Sequence, residues 1–122
     1  MKIAVVYWSS TGNTEAMAQA VVEGAKHAGA EAELFTAAEF DGGKMDEFDA
    51  VAFGCPAMGA EELEDGEFAP MFETCESKLS GKKIALFGSY GWGDGEWMRT
   101  WEENCRDKGA NLVCDSVICQ ET

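Results

Sequence analysis

Three short stretches bring together residue types that could do chemistry. Ser9-Ser10-Thr11-Gly12-Asn13-Thr14 offers four hydroxyls, an amide and one glycine directly after the apolar run from Ile3 to Trp8. Hydroxyls, amides and backbone N–H groups at the start of a helix are donors that can hold a phosphate. The loop has no lysine and lacks the G-x-x-x-x-G-K-[ST] pattern, so it is not a Walker loop. The same residues also suit a turn that caps a helix, and the loop by itself leaves both readings open. In Cys55-Pro56-Ala57-Met58-Gly59-Ala60-Glu61, Met58-Gly59 reads as the centre of a tight turn. Glycine at the third turn position lets the preceding peptide adopt either of two turn types. Gly88-Ser89-Tyr90-Gly91-Trp92-Gly93-Asp94-Gly95 sets two aromatic rings among glycines, suited to stacking on a planar ring or to packing on neighbouring loops. Gly91-x-Gly93 does not extend to a dinucleotide fingerprint, because Glu96 stands where the third glycine is required.

Other chemistries have little support. His27 is the only histidine and falls near the end of an expected helix, which leaves little room for imidazole acid–base work. Cys55, Cys75, Cys105, Cys114 and Cys119 are odd in number and contain no C-x-x-C pair, so buried free thiols are expected rather than disulfides or a metal site. The chain has 23 acids against 9 bases, a net charge of −14. That repels nucleic-acid phosphates and favours partner proteins presenting basic patches. Glu61, Glu62, Glu64, Asp65 and Glu67 form an acidic run without a base. No stretch is apolar for long enough to cross a bilayer, and Met1-Lys2-Ile3 runs straight into a strand pattern, so a cytoplasmic protein is expected.

The elements that must position these loops alternate in kind. Strands are expected over residues 2–8, 31–36, 50–54, 82–88 and 111–119, each a short apolar or alternating run. Helices are expected over 14–28, 67–79 and 95–108, with one short helix around Lys44 to Phe48. In the first helix Met17, Ala20, Val21, Gly24 and Ala28 follow the spacing of one buried face, with Gly24 packed closely on a sheet and Gly29 as the stop. Glu31 and Glu33 point outward from an exposed edge strand. The 122 residues form one domain, an α/β fold with a parallel sheet. In such sheets ligands bind outside the carboxyl ends of the strands, where all three stretches fall.

In this order the stretches resemble flavodoxins, specifically the short-chain type of anaerobic bacteria. The matching pieces are Tyr7 to Met17, Gly54 to Gly59 with Glu61 to Glu64, and Gly81 through Trp92-Gly93 to Met98. The resemblance spans essentially the whole chain and implies a five-stranded sheet of order 2-1-3-4-5 with helices on both faces. It implies FMN as cofactor. Trp8, Ser9, Ser10, Thr11, Gly12, Asn13 and Thr14 would surround its 5′-phosphate. Pro56, Ala57, Met58, Gly59, Ala60 and Glu61 would line one side of the flavin, with Met58 against the ring and Glu61 accepting from its N3–H. Trp92 would stack on the other face, with Gly93 beside it, while Ser89, Tyr90 and Gly91 would contribute backbone groups near the flavin's pyrimidine side. The Met58-Gly59 peptide would flip on one-electron reduction.

The function implied is a low-potential one-electron carrier between redox enzymes, with no catalytic acid or base and no metal. The alternatives are a small FMN-dependent reductase or a flavodoxin-like domain of a larger redox protein. Two departures stand out. Pro56 replaces a serine of some relatives. The family pattern also continues into a fifth helix beside the first, whereas this sequence ends at Thr122. The expected result is a sheet face over strands three to five without its cover, available for self-association.

Overall fold

The computed structural model describes residues 2–8, 13–56, 66–90, 96–112 and 117–120. Strand β1 (Lys2–Tyr7) leads to helix α1 (Asn13–His27) and strand β2 (Glu31–Thr36). Two 3-10 turns, Ala37–Glu39 and Gly42–Glu47, precede β3 (Ala50–Gly54). Then follow α2 (Phe68–Glu76), β4 (Lys83–Tyr90), α3 (Glu96–Asp107), β5 (Asn111–Leu112) and β6 (Val117–Gln120). Every strand pair is parallel, in the order β2-β1-β3-β4, with β5 and β6 following one another along the outer side of β4. The fifth position of the expected 2-1-3-4-5 sheet is thus filled by two short strands, where one run over 111–119 was expected.

Alternation within the strands sorts their side chains between two cores. Ala4, Val6, Val51, Phe53, Ile84 and Leu86 join α2, α3 and the 3-10 turns in a core of twenty buried residues. Phe53 sits at its centre, with its ring 5.0 Å from Phe72, 6.3 Å from Phe40 and 6.4 Å from Phe68. Trp101 meets Phe68 and Phe72 edge-on, and Trp97 and Met98 are buried beside it, as the helical spacing of α3 predicts. Among the described residues the opposite face carries α1. Four residues, Val5, Ala18, Ala52 and Phe87, are buried there among the described residues.

Beside α1, Ile3, Val21, Ala25, Ala52, Lys83 and Ala85 line an apolar groove of about 340 Å³. It lies over β1, β3 and β4.

Several expectations need correction. The contact face of α1 runs through Thr14, Ala18, Val21 and Ala25, whereas Ala20, Gly24 and Ala28 are exposed. A Cβ on Gly24 would meet nothing within 4 Å, so no close approach requires that glycine. Helix α2 stops at Glu76 rather than 79, followed by turn residues Ser77 and Lys78. The segment before β3 forms two 3-10 turns rather than one short helix. Thr36 and Glu39 form a reciprocal capping box on the first, and the Asp41 carboxylate accepts from Gly43 N–H in the second. The edge position of β2 and the end of α1 at Gly29 (φ 89°) agree with the sequence reading.

Candidate functional site

The strand order reverses between β1 and β3. From β1 the chain passes to β2 on one side, and from β2 it crosses to β3 on the other. Ligands in open α/β sheets sit outside the carboxyl ends at such a point, a rule for which flavodoxin itself is a standard example. The ladder continues past the strand ends there. Trp8 N–H donates to the Gly54 carbonyl at 3.0 Å, and Cys55 N–H to the Phe87 carbonyl at 3.2 Å. The rim of β1, β3 and β4 is therefore one continuous backbone edge.

Glycines allow that edge to close. A Cβ on Gly54 would lie 2.1 Å from the Phe87 ring, and Gly88 likewise faces the Cys55 carbonyl with no room for a side chain. Ser89 and Tyr90, expected to begin a loop, extend β4 by pairing with Cys119 and Gln120 of β6.

The end of β1 is tied to both layers. On the α1 side the Tyr7 hydroxyl donates to the Glu15 carboxylate at 3.3 Å. Partial burial, reinforced by the charge of Glu15, pushes the Tyr7 pKa upward. On the other side the Trp8 indole N–H donates to the Glu67 carboxylate at 3.2 Å, and its ring packs against the larger core. Helix α1 begins at Asn13, and Thr14 is 1% exposed in its first turn. Pro56 is buried at the exit of β3. The buried Cys55 thiol donates to the Pro56 carbonyl oxygen at 3.5 Å.

Of the residues singled out from the sequence, Trp8, Asn13, Thr14, Pro56, Ser89 and Tyr90 are thus placed on this rim. Ser9, Ser10, Thr11, Gly12, Ala57, Met58, Gly59, Ala60, Glu61, Gly91, Trp92 and Gly93 lie outside the described residues. The structure adds Tyr7, Glu15, Gly54, Glu67 and Gly88, which the sequence reading gave no site role. The first two are eight residues apart, and Trp8 and Glu67 are 59 apart. No local pattern announces such pairs.

The frame fits FMN. A helix of 15 residues starts in the chain after the end of β1, and the first turn of a helix suits a phosphate. The nine bases leave this edge almost without cations. Only Arg99 stands in the first turn of a helix, while Lys2 and Lys83 begin strands and Lys26 and Arg106 close helices that run back from the rim. Among the described residues no group of His, Cys, Asp and Glu could hold a metal ion. No described helix is long and apolar enough to cross a membrane.

Comparison with known proteins agrees. The flavodoxin family model matches residues 5–122. Flavodoxin of Megasphaera elsdenii is 45% identical over 119 residues, covering 95% of this chain and 85% of that protein. Flavodoxin of Clostridium beijerinckii is 44% identical over 116 residues, covering 95% and 84%. The solution structure of two-electron reduced M. elsdenii flavodoxin superposes with a TM-score of 0.89 at 44% identity, over 97% of this chain and 85% of that one. With its parallel sheet of matching order and its glycine-lined rim, the chain belongs to the flavodoxin family of FMN-carrying electron-transfer proteins.

Proposed function

We propose that this protein is a low-potential, one-electron carrier that shuttles between cytoplasmic redox enzymes using non-covalently bound FMN. The observation that carries this reading is the chemical make-up of the rim. It has backbone edges and neutral donors, while the one histidine, His27, lies in the last turn of α1 at the far end of the molecule. The site offers FMN a place and an electrostatic setting but no imidazole to drive a second reaction.

Bound FMN supplies the redox couple. The chain's own residues do the rest. The 9–14 loop and the first turn of α1 would take the phosphate, and Thr14 sits buried at that turn. Met58 and Trp92 would exclude water from the two faces of the flavin ring, and the Met58-Gly59 peptide would present its carbonyl toward the flavin N5. Glu61 would orient the ring edge by accepting a hydrogen bond from N3–H. The acidic run from Glu61 to Glu67 has no base within it, and Asp94 and Glu96 follow Trp92. Negative charge without nearby cations makes addition of a further electron unfavourable. The same carboxylates attract a partner with a basic patch and orient it toward the rim.

The test is a stepwise reductive titration of the purified yellow protein, followed by visible absorption and electron paramagnetic resonance. Two resolved one-electron steps, the second at much lower potential, are expected. A single two-electron wave overturns the one-electron reading. Steady-state NADPH oxidation by the protein alone would show a reductase instead.

A further inference from the structure

The Trp8–Glu67 hydrogen bond joins two places that the fold otherwise leaves separate. Trp8 directly precedes the 9–14 loop in the chain, and Glu67 closes the acidic run from Glu61. These are the two stretches that would hold the phosphate and one side of the flavin.

Glu67 also occupies the N-cap of α2, a position where Ser, Thr, Asp or Asn usually bonds the first turn of its own helix. Its side chain makes no cap hydrogen bond, at backbone angles of φ −129° and ψ −44°. Its carboxylate instead reaches β1 and accepts from the Trp8 indole at 3.2 Å. Trp8 is itself fixed from two further directions, through its N–H on the Gly54 carbonyl and through its ring on the larger core. The indole is therefore a fixed post, and Glu67, at the start of α2, is the group that reaches it.

We propose that Glu67 is a positioning residue for the cofactor. Through the Trp8 indole it locks the exit of the 57–65 stretch to the entrance of the 9–14 loop, so that the phosphate site and the flavin side keep a fixed spacing. This rests on the reading of those loops given above. What the bond requires of Glu67 is an acceptor oxygen, not a charge. Glutamine supplies that oxygen and alanine does not, which separates the clasp from a purely electrostatic contribution of the acidic run.

The experiment measures the rate of FMN loss from the holoprotein on dilution, by the rise in free-flavin fluorescence. Glu67→Ala and Trp8→Phe should each speed FMN loss about fivefold, the scale of one hydrogen bond to a charged group near solvent. Glu67→Gln should keep the wild-type rate. Trp8→Phe combined with Glu67→Ala should speed FMN loss by less than the product of the two single effects, because both remove the shared bond. A glutamine variant as fast as the alanine variant, or additive effects in the pair, overturns the proposal. A wild-type protein that purifies without FMN would instead fail the loop reading. The clasp is then decided by exchange of the Trp8 indole N–H, which slows relative to Glu67→Ala if the bond is present and is unchanged if it is not.

Discussion

The Cys55 carbonyl oxygen occupies the space that a side chain on Gly88 would need. A Cβ there would stand 2.2 Å from that oxygen and 3.1 Å from Cζ2 of Trp97. The nearer obstacle is backbone, which cannot rotate away as a side chain does. Gly88→Ala should therefore push the Cys55-Pro56 segment outward and, with it, the start of the connection that carries Met58 and Gly59. FMN affinity should fall about tenfold, with stability reduced by about 2 kcal/mol. Flavin-fluorescence titration and urea unfolding measure the two. Unchanged affinity would show that the segment relaxes without moving the site.

The acidic run makes a separate prediction. Glu62→Gln combined with Glu64→Gln removes two negative charges from the 57–67 stretch. The potential of the second electron should rise, on the order of 20 mV per charge, and the rise should shrink in high salt. Redox titration at two ionic strengths checks both. No change would count against an electrostatic role for these carboxylates.

Buried thiols set a limit on the alkaline side. Burial pushes Cys75 up to about 11 and Cys105 up to about 12, the latter helped by the nearby charges of Glu76 and Glu102. An unfolded chain releases these protons near the ordinary thiol range, while the native protein holds them. The stability they contribute is complete below the unfolded pKa and is lost as pH rises through 11 to 12. The urea midpoint should fall steadily above pH 9. Both thiols should resist Ellman's reagent in the native protein at pH 8 and react once it is unfolded.

The larger core depends on Phe53, which touches rings from the 3-10 segment and from α2. Phe53→Ala should cost about 4 kcal/mol through lost burial and the cavity left behind, read as a lowered urea midpoint. Loss of under 1 kcal/mol would mean that the neighbouring rings collapse into the space.

What the sequence made legible follows from the range of the forces involved. Ala50 to Gly54 reads as a strand because five small or apolar residues in a row leave no polar face, and α3 reads as a helix because Trp97, Met98 and Trp101 repeat at helical spacing. Those are local patterns. The continuation of β4 through Ser89 and Tyr90 is not local, since it comes from pairing with β6 some thirty residues on. The exposed position of Gly24 depends on how α1 is rotated on the sheet, which its own spacing does not fix. For the candidate site, the hydroxyl loop and the glycine-rich loop declare themselves by composition. The bond between Trp8 and Glu67 and the contact between Gly88 and Cys55 arise only when the chain is folded.

Among the described residues, four apolar side chains are buried between α1 and the sheet, Ala18 of α1 among them, against twenty on the other face. Fewer buried contacts lower the cost of local opening at α1. Its first turn is also where the phosphate of FMN would bind. A ligand that binds only the closed form shifts the opening equilibrium in proportion to its free concentration. A supply of flavin nucleotide would then lengthen the time each molecule resists proteolysis.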